Sequence, residues 1–340
     1  MNAQNIIRWI GHGMHFILIL VLGIAAMYYQ TSVYLIYQGL GQLSVLKNTQ
    51  SFEHYLSENK PGKKQHENLQ LINEIKRFSI DSLQYVPTDN FTKIYNDADK
   101  VPLWVVTASK PYELKAYTWT FPLVGEVSYK GFFKKELALK EYNHLVSLGY
   151  DVDLRGVSAW STLGWFNDPV LSSALERSKG SLCNLMFHEL FHATFYAPGS
   201  VDLNENLANF VAHKATIRFL RNDTTSLNQY LRAYHDRLTY TSYMLRSMKR
   251  LESHYRKSIN TKGKYLLKLR EIFDISDSIG KLPLHNRKPY LARKLDILKF
   301  KNACFIDLVQ YDSKQDSLEE VFNKIYGGKI ENLVRYLRQN

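Results

Sequence analysis

The residues best able to do chemistry lie in the segment MFHELFHATFY, residues 186–196. His188 and His192 are four positions apart, which on a helix is about 40° around the axis and roughly 6 Å along it. Two imidazoles one turn apart can point at the same ion, as tetrahedral zinc requires. Glu189 follows the first histidine, where its carboxylate could take a proton from a water molecule that zinc activates. The spacing is that of the zinc-hydrolase motif His-Glu-x-x-His.

The same two histidines also have an ordinary structural explanation. In a mostly apolar helix, each ring could be a core residue whose nitrogens are satisfied by local hydrogen bonds. The chain has 11 histidines in 340 residues, so composition alone produces this pattern from time to time. The residues that follow the motif favour a metal ion over this alternative.

A third candidate ligand follows a predicted break in the helix. The segment APGSV at 197–201 ends the helix, and a new helix is predicted over 202–220. Glu205 lies in the first turn of that helix, thirteen residues after His192. A helical hairpin of this length can return the carboxylate to the two imidazoles, which completes a catalytic zinc site with one open position. The alternative is an acid that only stabilises the positive end of the helix dipole.

The elements that must position these residues form a predicted α+β fold, mostly helical with a small β-sheet. Strand patterns occur at 103–109, at 117–133 with a break near Pro122, and at 151–162. A polar loop is predicted at 57–68. Helical periodicity covers 31–46, 68–83, 134–150 and most of the chain from residue 181 onward.

The N-terminus contains an apolar run, FILILVLGIAAMYY, at 16–29. Extended backwards through WIGHGMH it reaches about twenty residues, which is enough to cross a bilayer. Arg8 precedes it, so the positive-inside rule predicts a cytoplasmic N-terminus and a body on the opposite side. The sequence therefore predicts an N-terminal transmembrane helix that anchors a periplasmic domain to the inner membrane. A cleaved signal peptide is the alternative.

This interpretation divides the chain into two parts. Residues 1–30 form a cytoplasmic stub and membrane anchor or signal, and residues 31–340 form one folded domain whose C-terminal helical part is roughly 223–340. Length and composition agree, because 45% hydrophobic and 22% charged residues are typical of a globular chain.

Charge and cysteine content exclude several classes of protein. The net charge is +12, and much of it lies at 246–270. A solvated helix face is favoured there over a nucleic-acid surface, since zinc-finger, phosphate-loop and RNA-binding motifs are absent from the sequence. Two cysteines cannot make a disulfide framework, and Cys183 is expected to be a buried thiol.

Several segments beyond the metal motif resemble the bacterial "predicted aminopeptidases" of the zinc-dependent gluzincin type. The resemblance is good over roughly residues 35–222 and weaker elsewhere. It rests on YQGLGQLSVL (37–46), WVVTASKPYELKAYTWTFPLVGEVSYKGFF (104–133), GVSAWSTLGWFNDPVLSS (156–173), HELFHATFYAPGSVDLNENLANFV (188–211) and, more loosely, KNACFIDLVQY (301–311).

The resemblance implies a zincin-like metallopeptidase domain that hydrolyses peptides, with aminopeptidase activity. One Zn2+ ion would be bound by His188, His192 and Glu205, with Glu189 as the general base. The alternative from a different class is a zinc-stabilised binding or sensor protein of the cell envelope that cleaves nothing. The expected partners are a peptide substrate and, through the N-terminal helix, the inner membrane, without nucleic acid. The oligomeric state stays open.

Peptide hydrolysis also needs a donor that stabilises the oxyanion of the transition state. Tyr196 follows His192 by four residues, which on a continued helix would place it on the same face. Tyr311 lies in the weaker C-terminal match to the family. Either phenol could donate the hydrogen bond, although with 23 tyrosines in the chain a packing role is the alternative for both.

Overall fold

The structure is a computed structural model that describes residues 12, 14, 23, 29–98, 101–121, 125–157, 167–197, 199–257, 260–306 and 315–339. The chain divides into two units, residues 1–45 and 46–340. Helix α1, Tyr29–Lys47, provides most of the described part of the first unit. All of the candidate site residues that the structure describes lie in the second unit.

The second unit is mainly helical. It contains α2 (Phe52–Asn59), α3 (Lys63–Leu83), α4 (Lys135–Ser147), α5 (Lys179–His192), α6 (Val201–Phe219), α7 (Thr224–Tyr255), α8 (Thr261–Ile279), α9 (Lys288–Phe300), α10 (Gln315–Tyr326) and α11 (Ile330–Gln339). A single 3₁₀ turn at Ser172–Glu176 leads into α5.

The strands are short and form three small sheets among the described residues. They are β1 (Thr49–Ser51), β2 (Lys93–Tyr95), β3 (Leu103–Ser109), β4 (Trp119–Phe121), β5 (Gly125–Val127), β6 (Lys130–Phe132), β7 (Asp151–Val157) and β8 (Val170–Leu171). The sheet orders are β1-β2-β8, β6-β3-β7 and β4-β5. Only the β2–β8 pair is parallel within these sheets, with Ile94 opposite Val170.

The largest apolar cluster, called here the first core, surrounds α5 and α6. Its fully buried side chains include Ile72 of α3 and Phe187 and Phe191 of α5. Phe187 contacts Phe78 and Phe219 edge-on, at centroid distances of 6.1 and 5.8 Å. Burial of one such side chain stabilises the fold by roughly 1.5–3 kcal/mol. The helix that carries the histidine motif is therefore fixed by the packing of the residue that precedes each histidine.

A separate cluster, called here the second core, joins helices α7, α8 and α9. It consists of Met244, Leu251, Tyr255, Ile272, Ile275, Ile279, Ile297 and Phe305. On α7 and α8 these residues recur at three-, four- and seven-residue spacing, which is the pattern of an amphipathic helix packing on a neighbour. The predicted helical part at 223–340 contains the second core, together with the terminal helices α10 and α11, which pack on the first core.

The predicted mostly helical α+β fold is confirmed, but the predicted transmembrane helix is not. No helix among the described residues is both long enough and apolar enough to cross a membrane. Helix α1 follows the apolar run but carries glutamine, serine and threonine along its length. The predicted membrane anchor and the inner-membrane, periplasmic localisation are corrected on this finding. The run at 16–29 lies, except for Gly23 and Tyr29, outside the described residues.

The strand predictions hold closely, whereas the predicted loop at 57–68 and the predicted single sheet need correction. The structure places β3 at 103–109 as predicted, and β7 ends at Val157 with 158–162 outside the described residues. The loop predicted at 57–68 covers little more than Lys60–Gly62, because α3 already begins at Lys63 with Gly62 as its N-cap. The predicted small sheet is three sheets, and the division of the chain after residue 30 stays a prediction.

Candidate metal centre

The start of α5 is fixed by hydrogen bonds from two neighbouring elements. The Asn68 side chain of α3 donates to the carbonyls of Leu175 and Arg177, at 2.7 and 3.1 Å. Asp97 accepts from the hydroxyl and backbone N–H of Ser173 at 2.6 and 2.8 Å, which holds the 3₁₀ turn. These bonds set the direction in which α5 leaves the sheet and therefore where its histidines point.

The turn between α5 and α6 is closed by one side chain. Asn204 accepts a hydrogen bond from the backbone N–H of Ala197 at 2.8 Å and donates to the carbonyl of Ala197 at 2.9 Å. Gly199 has φ +73°, the left-handed conformation that glycine adopts without a steric penalty. The two hydrogen bonds between Asn204 and Ala197 close this turn, and α6 packs along α5. Ala208 and Ala212 of α6 are fully buried in the first core. Small residues there let the two helices approach closely.

The turn brings the predicted ligands together. The Nε2 atoms of His188 and His192 are 3.1 Å apart. Glu205 Oε2 lies 3.3 Å from Nε2 of His188, and Glu205 Oε1 lies 3.7 Å from Nε2 of His192. Ligand atoms around a tetrahedral ion with bonds of roughly 2.0–2.1 Å are about 3.3 Å apart. The three side chains therefore have the spacing of a metal site without further movement of the backbone.

The chemistry of this triangle also fits a cation. Two imidazole nitrogens that face each other cannot both donate, and the group is enclosed, with the His192 side chain 4% exposed. His192 Nδ1 and Glu205 Oε2 are buried without a hydrogen bond in the part of the chain that the structure describes. Buried polar atoms without partners are costly, and a bound ion would remove part of that cost.

Glu205 differs in one respect from the prediction. Helix α6 begins at Val201, so Glu205 is its fifth residue, and the acid of the first turn is Asp202. Stabilisation of the helix dipole falls off within the first turn. The alternative explanation of Glu205 as a helix-start acid therefore loses its support, since Asp202 occupies that position.

The charges of the cluster act on one another. Burial of the His188 ring alone would lower its pKa, but contact with Glu205 and the charge of Glu189 outweigh burial and raise it. Burial, together with the neighbouring His188, lowers the pKa of His192 to about 4. Burial disfavours ionisation of Glu205, but its contact with His188 outweighs this and lowers the carboxyl pKa. These directions favour an ionised Glu205 and a neutral His192, as metal ligation requires, whereas His188 would have to release the proton that Glu205 stabilises before it binds an ion.

Glu189 directly follows His188 on α5, and its side chain is half-buried. Burial raises its pKa to about 7, and the carboxylates of Glu205 and Asp168 act in the same direction. The positive charges of His188 and Arg177 act in the opposite direction. Asp168 is 1% exposed and its backbone N–H donates to Asn90, so it belongs to the fixed surroundings of Glu189.

Sequence reasoning missed two residues at this site. Asn209 lies one turn after Glu205 on α6, and its side chain hydrogen-bonds His188. The guanidinium of Arg177 donates a hydrogen bond to the hydroxyl of Ser181 on α5 at 3.2 Å. Burial lowers the pKa of Arg177, and the negative charge of Glu189 acts in the opposite direction. The four-residue interval between Glu205 and Asn209 was a usable signal. The position of Arg177 before the helix carried none.

The structure does not test whether Tyr196 or Tyr311 stabilises the oxyanion. Helix α5 ends at His192, so Tyr196 lies beyond it and helical spacing no longer fixes its direction. Tyr311 lies outside the described residues, as do residues 158–166 of the family-like segment at 156–173. Both tyrosines stay predictions. Cys183 is fully buried as expected, and burial raises the pKa of its thiol to about 12.

Comparison with known proteins gives the class. The family model described as "Putative aminopeptidase" matches residues 33–339, nearly the whole chain, and the protein belongs to that family. Membership supports a peptidase, and it agrees with the resemblance seen in the sequence. Searches of the curated proteins and of the solved structures found no match.

Proposed function

We propose that the protein is a zinc-dependent aminopeptidase whose metal is bound by His188, His192 and Glu205. The observation that carries the proposal is the triangle of ligand atoms at 3.1, 3.3 and 3.7 Å within a chain of the aminopeptidase family. Two imidazoles and one carboxylate with an open position are a donor set typical of catalytic zinc. A zinc ion in this position would polarise the peptide carbonyl and lower the pKa of a water molecule.

The residues of the chain have separate tasks in this proposal. Glu189, adjacent to the first ligand, accepts the proton of the attacking water and passes it to the leaving amine. Asn209 orients the ring of His188, which is the usual task of a side chain behind a metal ligand. Tyr196 and Tyr311 remain the candidates for stabilising the oxyanion. Packing of α5 and α6 in the first core holds the ligands in place, which lowers the reorganisation needed during catalysis.

The test uses the full chain with a library of short peptides, analysed by mass spectrometry. We expect release of single N-terminal residues, loss of activity after treatment with a chelator, and recovery on addition of Zn2+ alone. The same library with acetylated N-termini is the matched control, because an aminopeptidase needs the free amine. Cleavage of acetylated and free peptides at equal rates would reject the exopeptidase part. Undiminished hydrolysis without metal would reject zinc dependence.

The non-catalytic alternative makes a different prediction for the same protein. A binding or sensor protein would retain zinc but release no residues from any peptide in the library. Glu189→Gln separates the two ideas, because it removes the base while leaving the three ligands intact. Under the proposal the variant retains zinc and loses hydrolysis, whereas under the alternative it changes neither.

A further inference from the structure

A second cluster of ligand-type side chains lies far from the first in the sequence. Among the described residues, two groups bring three such atoms within 4.8 Å of one another: His188, His192 and Glu205, and then His235, Asp236 and His285. The second group shares no residue with the proposed catalytic site. It joins α7, which carries His235 and Asp236, to the loop between α8 and α9, which carries His285.

Asp236 is the fixed point of this second cluster. Its side chain is 2% exposed, and its Oδ1 accepts hydrogen bonds from the backbone N–H and from Nδ1 of His285, both at 2.8 Å. Oδ2 accepts from the backbone N–H of Asn286, also at 2.8 Å. These contacts outweigh burial and lower the pKa of Asp236, so the group is an oriented carboxylate at neutral pH.

The two imidazoles stand beside this carboxylate and face solvent. Their ring centroids are 5.5 Å apart with an interplanar angle of 82°. Both histidines are exposed, and neither the ring nitrogens of His235 nor Nε2 of His285 hydrogen-bond to any other residue that the structure describes. A bond from Nδ1 to a carboxylate fixes the tautomer of His285 and directs its Nε2 lone pair outward, which is the arrangement behind metal-bound histidines.

The space next to the cluster can hold the remaining ligands of an ion. A cavity of about 410 Å³ adjoins His285 and Asp236, with Gln229, Arg232 and Asn286 also on its lining, while His235 lies outside that lining. An ion bound by the two imidazoles retains positions for solvent or a small anion. The loop itself is ordered by local bonds, including Leu284 N–H to the carbonyl of Leu282 at 2.9 Å.

We propose that His235 and His285 form a second metal site for a divalent transition-metal ion of the zinc class, with Asp236 orienting His285 through the bond to its Nδ1. Two imidazoles suit Zn2+, Ni2+ and Cu2+, whereas Mg2+ and Ca2+ prefer oxygen ligands. The ion would tie the loop between α8 and α9 to the middle of α7. This site is accessible from solvent and independent of the proposed peptidase centre.

The test counts metal ions bound to the untagged full chain. The protein is stripped with a chelator, dialysed, titrated with Zn2+ alone and analysed for zinc after gel filtration. We expect two ions in the wild type and one in the double variant His235→Ala, His285→Ala. The matched control removes two exposed histidines elsewhere, His54→Ala with His66→Ala, and retains two ions.

Failure of this proposal is distinguishable from failure of the proposed function. The double variant His188→Ala, His192→Ala is expected to retain one ion, and an unchanged count there would remove the first site only. Equal zinc in the wild type and in the His235→Ala, His285→Ala variant would overturn the second site. Displacement of its ion by excess Mg2+ would also overturn it, because the ligand set would then not be the imidazole pair.

A single variant covers the case in which the double variant does not fold. His235→Ala leaves every hydrogen bond to Asp236 in place, so its circular dichroism spectrum and melting temperature without metal are expected to match the wild type. Its zinc affinity at this site is expected to fall by at least about tenfold. An unchanged affinity would overturn the proposal.

Discussion

The two halves of the helical body each hold a histidine–carboxylate cluster, but the clusters differ in what satisfies them. In the first core, Glu205 Oε2 and His192 Nδ1 are buried without hydrogen bonds among the described residues. In the second half, both oxygens of Asp236 are satisfied by donors on the loop before α9. The first cluster retains buried polar atoms without a hydrogen bond among the described residues, whereas the carboxylate of the second cluster is fully hydrogen-bonded without an ion.

The two clusters differ in whether their buried polar atoms have hydrogen-bond partners within the protein. A polar group in the interior that the protein itself does not satisfy costs free energy, so it calls for a specific reason such as a catalytic role, a buried water or an ion. A polar group capped by backbone donors already contributes to stability. Changes at the first cluster should therefore act on chemistry and metal affinity, whereas loss of Asp236 at the second should act on local stability even without metal.

The largest expected effect is on the rate at the first cluster. Glu189→Gln is expected to lower kcat/KM by about 10²- to 10⁴-fold, because proton transfer loses its base. Zinc content and melting temperature should stay at wild-type values. Glu136→Gln, an exposed acid in the first turn of α4, is the control and should retain full activity. Retained hydrolysis in the Glu189 variant would remove the residue from the mechanism.

A large effect on stability is expected from the packing behind the histidines. Phe187→Ala removes a fully buried ring from the first core, and the free energy of unfolding should fall by about 3–5 kcal/mol. Leu295→Ala on α9, where the side chain is 73% exposed, should change it by less than about 0.5 kcal/mol. Urea denaturation of both variants measures the contrast. A small effect at Phe187 would mean that α5 is not fixed by this core.

Helix α5, its partner α6 and strand β3 are the elements that the sequence predicted well. The periodicity of α5 and the interval from His192 to Glu205 predicted a site whose ligand atoms do converge, because helical geometry fixes neighbours at four-residue spacing. Strand β3 was predicted to the residue for a similar reason, since a run of alternating and β-branched residues bounded by polar ones marks a buried strand.

What the sequence could not give depends on contacts between distant segments. The bond of Asn209 to His188 and the bond of Asn68 to the start of α5 join residues that only the tertiary fold brings together. Asp236 and His285 are 49 positions apart, and nothing in their local patterns pairs them. The N-terminal prediction is corrected because no helix among the described residues is long and apolar enough to cross a membrane.

An intermediate effect is expected one layer behind the first ligand. Asn209→Ala removes the side chain that hydrogen-bonds His188, and the zinc affinity is expected to fall by about 10- to 100-fold. Competition with a metal indicator measures this directly. Asn323→Ala on the exposed side of α10 is the control and should bind zinc as the wild type does. Equal affinities in both variants would make Asn209 a packing residue only.

The second cluster should respond in the opposite way, through stability without metal. Asp236→Ala leaves the backbone N–H groups of His285 and Asn286 without their acceptor, which should cost about 1–3 kcal/mol in the free energy of unfolding. His235→Ala should cost nothing measurable under the same metal-free conditions. Urea denaturation with chelator present tests the pair. A larger loss for His235 than for Asp236 would reverse the comparison.

The smallest expected effect is a difference in the rate at which a thiol reagent labels Cys183 and Cys304. Cys183 is fully buried in the first core, and burial raises its pKa to about 12, so at pH 8 only about one thiol in ten thousand is ionised. Cys304 beside the second core is half-buried. A thiol reagent should therefore label one cysteine in the native protein and two in urea. Fast labelling that persists in Cys304→Ser would contradict the tight packing around α5.

The central claim is that one metal ion sits between His188, His192 and Glu205. Diffraction data collected at the zinc absorption edge, from crystals of the full chain grown with Zn2+, test this directly. The account predicts an anomalous peak within about 2.0–2.2 Å of both Nε2 atoms and of a Glu205 oxygen. A map without a peak there, or with the Glu205 side chain turned away from both rings, would contradict it.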